Sequence, residues 1–191
     1  MEIVQAKNVK LDLISYGGTK NNSMISLNPI KYNDKFFILN FPKMYLDSDT
    51  ITLGNKKMFF VSFRGFTNNL KLRELYQTLN NIDTKVQEDI NSNNIDNIDD
   101  LDNIEIKYVP LIKDNFVKFQ KNYPTLKIYF TEETKFYDAD TGELLNDKYL
   151  VDDIIKKYRE ITCLVYVKYV WSAILQMGVY LELLEAKVSL D

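Results

Sequence analysis

The chain has 191 residues, of which 46% are hydrophobic and 13% aromatic, and its formal net charge is −3. This is enough apolar sequence for a packed core in one domain over residues 1–191. No apolar run reaches the roughly 18 residues of a transmembrane helix, and no signal peptide is indicated. We therefore expect an intracellular protein without a membrane partner. The chain contains no histidine and one cysteine, Cys163, which excludes histidine-dependent nucleophiles, most zinc sites and an internal disulfide.

The first third of the chain predicts a meander of antiparallel strands. Residues 1–16 and 24–30 alternate loosely, with a turn at 17–23 and a stop at Pro29. The runs 35–41 and 56–66 are rich in aromatic residues, the first being ended by Pro42. Alternation in the second run places one set of side chains on a common face: Met58, Phe60, Ser62, Arg64 and Phe66.

Residues 67–79 change to helical spacing, and an acidic segment follows at 83–105. That segment holds eight acidic residues and one basic residue, which leaves 19 acids and 23 bases in the rest of the chain. We expect a flexible, solvated insertion in a mildly basic body, although its isoleucines leave a frayed helix open. The insertion is also a candidate phosphate mimic or docking segment for replication proteins.

Three further strands are predicted at residues 105–113, 126–130 and 134–137, with a short helix or linker at 114–121. On the second strand, Lys127 and Tyr129 share one face, and Leu126, Ile128 and Phe130 share the other. The sequence DADTGE, residues 138–143, is typical of a polar turn and lacks the spacing of a calcium loop. We therefore expect no metal and no cofactor.

The last part of the chain, residues 148–187, predicts a short helix and a long hairpin. Leu150, Ile154 and Tyr158 recur at helical spacing. The run 163–171 then alternates as a strand with Tyr166 and Lys168 on one face, and Trp171 is expected in the core on the other. Gly178 marks a turn, a bulge or a close backbone approach before a closing strand at 179–188.

This order resembles the C-terminal part of the OB-fold single-stranded DNA-binding proteins of large DNA viruses and tailed phages. The elements that carry the resemblance are the helix DDIIKKY, the strand CLVYVKYVW and the closing strand GVYLELLEAKV. It covers residues 148–187, with residues 125–137 as a further match. Phage members end in an acidic tail, whereas this chain ends in EAKVSLD. The resemblance implies a mainly β fold: an OB-like antiparallel Greek-key barrel with two short helices and the acidic insertion.

The hypothesis for function is single-stranded DNA binding, without catalysis, in viral-type replication, recombination or repair. Aromatic rings on an exposed sheet can stack bases while neighbouring cations neutralise phosphates, which binds single strands without reading sequence. The expected stacking residues are Phe60, Phe66, Tyr129 and Tyr166. The expected phosphate contacts are Arg64, Lys107, Lys127 and Lys168.

Other readings stay open. Tyrosine and lysine on half-exposed strands also follow from β-propensity and from protection of sheet edges. The alternative function is a structural or assembly protein of a virion, with a β-sandwich fold and no nucleic-acid affinity. A carboxylate- and lysine-dependent enzyme is the third class. RNA in place of DNA, and the oligomeric state, are not decided by the sequence. The expected location is a cytoplasmic viral replication site or the nucleus of an infected host.

Overall fold

A computed structural model describes residues 2–22, 25–47, 50–53, 56–92, 94–95, 106–113 and 123–190. In these ranges the chain forms thirteen strands and two α-helices, in addition to two 3₁₀ turns at 6–8 and 11–13. In chain order they are β1 (Glu2–Gln5), β2 (Ile14–Tyr16), β3 (Lys20–Asn22), β4 (Ile25–Tyr32), β5 (Lys35–Leu46), β6 (Ile51–Leu53), β7 (Lys56–Ser62), α1 (Leu70–Asn91), β8 (Lys107–Val109), β9 (Ile112–Lys113), β10 (Thr125–Phe130), β11 (Lys135–Asp138), α2 (Val151–Lys157), β12 (Glu160–Ala173) and β13 (Gln176–Ser189).

Five of these strands close into a ring. β5 pairs with β7, and β7 pairs with β10, both antiparallel. β10 runs parallel to β13, which forms an antiparallel hairpin with β12, and β12 returns to pair with β5. The ring strands β5, β7 and β10 pair in turn, and β12 returns to lie beside β5, which is Greek-key order. β13 completes the ring between β12 and β10. This is the OB-like, mainly β architecture expected from the sequence.

The interior of the ring is filled by the side chains that alternation directs inward. Phe59 and Val61 of β7, Leu126 and Ile128 of β10, and Val165 and Val167 of β12 are all fully buried. These residues are β-branched or aromatic in most cases, which suits a pleated surface packed on one face. The opposite faces of β7 and β10 are consequently directed away from this core.

Helix α1 covers one side of the barrel and is longer than the periodicity at 67–79 predicts. Its apolar stripe continues beyond residue 79 through Ile82 and Val86, which are fully buried, and the helix packs against β5 and the first 3₁₀ turn. The helix therefore includes the first nine residues of the acidic segment, 83–91. Of the rest, only residues 92, 94 and 95 are described; residues 93 and 96–105 lie outside the described residues, as does the helix or linker expected at 114–121.

Two acids of this segment are buried anchors instead of solvated charges. Asp83 accepts a hydrogen bond from the Tyr108 hydroxyl at 2.6 Å and another from the backbone N–H of Leu111 at 2.8 Å. Asp89 accepts from the Tyr16 hydroxyl at 2.7 Å and from Lys85 Nζ at 2.6 Å. Buried carboxylates need such donors, and these join α1 to β2 and to the segment 106–113.

The sheet differs from a purely antiparallel one in several places. Besides β10–β13, the parallel pairs are β1–β5, β8–β13 and β11–β13. β4 continues past Pro29, and β5 continues past Pro42, where a register shift against β12 accommodates the missing N–H donor. The single strand expected over residues 1–16 is wrong in its middle: β1 and β2 occupy its two ends, and the residues between them include 3₁₀ turns at 6–8 and 11–13.

Candidate nucleic-acid interface

The outer face of β7 and β10 carries three of the residues expected from the sequence. Lys127 and Phe60 lie opposite each other across the antiparallel pair, and Tyr129 lies two residues beyond Lys127 on the same face. All three side chains are half-buried. Their neighbours on the other face are fully buried, so the alternation used to place them is confirmed.

Tyr129 belongs to a stack of three tyrosines that crosses three strands. Its ring lies 4.3 Å from that of Tyr180 on β13, with an angle of 11° between the planes. On the other side of Tyr180, the ring of Tyr169 on β12 lies at 4.6 Å and 20°. These spacings match the distance between neighbouring strands, so the rings stand on the sheet with their faces toward one another. We call Tyr129, Tyr180 and Tyr169 the tyrosine stack.

Two ammonium groups lie over the tyrosine stack. Lys127 Nζ is 4.8 Å from the centroid of the Tyr129 ring, and Lys56 Nζ is 4.8 Å from that of Tyr180 and 5.7 Å from that of Tyr129. These distances are within the range of cation–π attraction. Lys56 begins β7 and is exposed. Positive charge therefore lies against the Tyr129 and Tyr180 rings of the tyrosine stack.

The hydroxyls of Tyr169 and Tyr180 have raised pKa values. Burial raises the pKa of Tyr169 to about 12, and the nearby Glu182 carboxylate adds to this effect. Burial also raises the pKa of Tyr180, whose hydroxyl is hydrogen-bonded to that of Tyr169. A polyanion approaching Tyr169 and Tyr180 thus meets no phenolate charge at these two rings near pH 7.

A second aromatic pair lies on the same sheet. Tyr166 of β12 is half-buried and makes an edge contact with Phe36 of β5, the ring centroids being 5.5 Å apart. Phe36 is 60% exposed, unusual for a phenylalanine. We call Phe36 and Tyr166 the aromatic pair.

Lys168, expected to contact phosphate, is already paired. Its Nζ lies 2.6 Å from Glu182 Oε2, and the side chains are 35% and 14% exposed. Glu182 is opposite Tyr166 on β12 and opposite Tyr129 on β10. The charge of Lys168 is therefore largely offset, and an acidic group lies between the tyrosine stack and the aromatic pair.

A bulge at Lys168 changes the faces expected for the end of β12. Val167 pairs with Leu181 and Tyr169 pairs with Tyr180, so Lys168 is an extra residue with no partner in this register. Such an insertion exchanges the two faces beyond it. Tyr169 is consequently on the outer face, and Trp171 is half-buried over Gly178 instead of in the core.

Lys107 lies at the tip of the β12–β13 hairpin. It is exposed on β8, opposite Gln176, and its N–H donates to the carbonyl of Leu175. Ile174 and Leu175 form the turn and are 56% and 62% exposed. In OB folds the loop between the last two strands takes part in oligonucleotide binding.

Arg64 and Phe66 lie elsewhere. The strand expected over residues 56–66 ends at Ser62, roughly 13 Å along β7 from Met58, which is opposite Tyr129, and both residues lie in the turns that follow. The Arg64 guanidinium is 5.2 Å from the Tyr45 ring, and the Phe66 ring packs at 5.3 Å against Tyr76 of α1. The structure does not bring these two residues to the tyrosine stack.

Sequence reasoning did not include several residues of this surface: Phe36, Lys56, Tyr169, Tyr180 and Glu182. Alternation in VYLELL does place Tyr180 and Glu182 on one face, and that signal was available. Simple alternation assigned Tyr169 to the core face, because the bulge at Lys168 cannot be recognised from the sequence. The nearness of Lys56 to Tyr180 depends on the closure of the ring, which no local pattern reports.

The described residues contain no cluster of histidine, cysteine or carboxylate side chains suited to a metal ion. Neither described helix combines the length and hydropathy needed to cross a bilayer. Compared with models of known protein families and with curated protein sequences, the chain gives no match.

Proposed function

We propose that this protein binds single-stranded DNA, without catalysis, in viral-type DNA replication, recombination or repair. The observation that carries the proposal is the tyrosine stack with two ammonium groups over it, on the outer face of a five-stranded barrel. Stacked bases and neutralised phosphates are the two requirements of sequence-tolerant single-strand binding. Double-stranded DNA offers neither unstacked bases nor a suitable shape for this surface.

Stacking begins at the Tyr129 end of the stack. The rings are too close together to admit a base, which needs about 3.4 Å on each side. The neighbours of Tyr129 on this side are the unbranched side chains of Lys127, Lys56 and Met58. A base that stacks on Tyr129 displaces these ammonium groups, which then move to the phosphates on either side of that base.

A second base stacks on the aromatic pair, where Phe36 offers its exposed ring. Phosphate charge is neutralised by Lys56, Lys127 and, at the hairpin tip, Lys107. Lys168 contributes less to phosphate neutralisation because its ammonium group already forms an ion pair with the Glu182 carboxylate. With three free cations the affinity should fall with salt concentration with a logarithmic slope of about −2 for a single strand.

The test is a fluorescence anisotropy titration of a labelled oligo-dT at several salt concentrations, with matched duplex DNA and RNA. The proposal predicts tighter binding to the single strand than to the duplex and a clear negative salt slope. Lys127→Gln should make that slope shallower by about 0.7, whereas Lys187→Gln, an exposed lysine near the far end of β13, should leave it unchanged. Absence of binding at low salt would contradict the proposal.

The acidic segment adds a regulatory element to this proposal. Residues 96–105 carry five acids, which weaken the attraction of the body for DNA and offer a docking site for replication proteins. Deleting residues 96–104 should strengthen binding at low salt. A deletion that begins at residue 86 is unsuitable, because Val86 is fully buried in α1. Unchanged affinity would contradict this role.

A second candidate function is assembly, as a structural protein of a virion. The exposed Ile174 and Leu175 at the hairpin tip favour it, since Ile25, which is opposite Ala173, extends the same apolar surface. Stable oligomers in light scattering, together with no affinity for any nucleic acid, would support assembly and contradict single-strand binding.

A further inference from the structure

Glu182 is an acid at the centre of a surface that otherwise suits a polyanion. Its two partners across the neighbouring strands are Tyr129 and Tyr166, so it lies between the tyrosine stack and the aromatic pair. Neighbouring strands are about 4.8 Å apart. A base that lies over the sheet between Tyr129 and Tyr166 therefore meets the Glu182 carboxylate with its edge.

The carboxylate also faces open space. Glu182 and Lys168 line a cavity of about 530 Å³, whose other walls come from the end of β10, the turn at Glu132 and Glu133, and the start of α2 at Val151. A cavity of this size admits a single nucleobase. A base whose edge reaches Glu182 therefore has room beside the carboxylate.

The carboxylate is an acceptor only. Its two oxygens offer about four lone-pair positions, and Lys168 occupies one of them at Oε2. Cytosine, adenine and guanine carry an exocyclic amino group that donates to such an acceptor. Thymine and uracil present carbonyl oxygens on both sides of their one ring N–H, so any approach brings an acceptor against the carboxylate.

We propose that Glu182 gives this interface a base preference, for bases that carry an exocyclic amino group over thymine and uracil. The inference rests on the proposed single-strand binding. Lys168 has a positioning role here, because its ammonium group holds the carboxylate on the outer face of the sheet. The negative charge of Glu182 weakens the overall attraction of the surface for phosphate. In return, the carboxylate discriminates among bases at one position of the bound strand.

The test compares oligo-dC with oligo-dU of about 12 nucleotides, a length within the site size of one such domain. These bases differ at position 4 and in protonation of the neighbouring ring nitrogen. Anisotropy titrations should show about fivefold to tenfold tighter binding of oligo-dC by the wild-type protein. In Glu182→Gln the ratio should fall toward unity, because the Gln amide donates to uracil as readily as it accepts from cytosine.

The matched control is Glu185→Gln, which removes the same charge from the same strand where β13 pairs with β11. It should keep the preference for oligo-dC. Equal affinities in the wild-type protein, or an unchanged ratio in Glu182→Gln, would overturn the base preference alone. Failure of the wild-type protein to bind either oligonucleotide would overturn the proposed function and this inference with it.

Discussion

Tyr129 is the residue on which the proposed binding depends most. Tyr180, only 6% exposed, is enclosed between its two neighbours and anchors the stack. Tyr129 occupies the end of the stack, with Lys127 Nζ 4.8 Å from its ring centroid and Met58 opposite it on β7. It is the half-buried outer ring of the stack, so it is the ring that a base can reach.

Replacing Tyr129 by leucine should weaken single-stranded DNA binding roughly tenfold, since one base–aromatic stack contributes about 1–3 kcal/mol. Tyr129→Phe keeps the ring and should bind nearly as the wild-type protein does. Tyr123→Leu, at the other end of β10 and 42% exposed, is the control. Anisotropy titrations measure all three, and equal losses in Tyr129→Leu and Tyr123→Leu would contradict the role of the stack.

Asp83 makes stability depend on pH. Burial raises its pKa to about 6 from an ordinary value of 3.8, against the hydrogen bonds from Tyr108 and Leu111. Because the folded-state pKa exceeds the unfolded one, the folded state binds this proton more tightly. The contribution to the free energy of unfolding is fully present below pH 3.8 and is lost as the pH rises to about 6.

Asp83→Asn removes this titration. The difference in free energy of unfolding between the wild-type protein and the variant should fall by about 2 kcal/mol between pH 4 and pH 7. Urea unfolding followed by the fluorescence of Trp171, the single tryptophan of the chain, measures both proteins at each pH. If the difference does not change with pH, the folded-state pKa of Asp83 is not raised.

At the scale of the elements, strand faces were predictable from the sequence, whereas among strand neighbours the sequence predicted the β12–β13 hairpin but not the pairs that close the ring. Alternation on β7 and β10 placed Phe60, Lys127 and Tyr129 on the outer face, because one buried face enforces a period of two. The bulge at Lys168 broke that rule for Tyr169, and a bulge has no signature in the residues themselves. Helix α1 was predicted too short because Asp83 and Asp89 count as solvent-seeking residues until their buried partners are known.

Gly178 shows how one element constrains another. A Cβ atom built at this position would lie 2.8 Å from the carbonyl oxygen of Val109 on β8 and 3.4 Å from Nε1 of Trp171. The parallel pairing of β8 with β13 therefore requires a residue without a side chain here. The close backbone approach is one of the roles that the sequence suggested for this glycine.

Gly178→Ala should lower the free energy of unfolding by roughly 1–3 kcal/mol, since β8 or Trp171 has to move to make room. Gly18→Ala is the control, because no atom lies within 4 Å of the added methyl group and its φ is not positive. Urea unfolding measures both variants. Equal stability of the two would mean that β8 does not approach β13 so closely.

At the scale of the whole molecule, ring closure is what assembles the interface. Phe36 comes from β5, Lys56 from β7, Tyr129 from β10, and the remaining rings come from the β12–β13 hairpin. These segments are separated by up to 144 positions in the chain, from Phe36 to Tyr180. The resemblance in the last forty residues could predict the hairpin but not which side chains would meet across it. Cross-strand register decided that, and with it the pairing of Lys168 with Glu182.

Photochemical cross-linking tests the central claim most directly. The full-length protein is irradiated in complex with a single-stranded oligo-dT, and the cross-linked peptides are identified by mass spectrometry, with irradiated duplex DNA as the control. Binding on the outer face of the barrel predicts cross-links within residues 56–60, 127–129 and 166–180, and few with the duplex. Cross-links confined to α1 or to β1–β3, or cross-links of equal yield with the duplex, would contradict it.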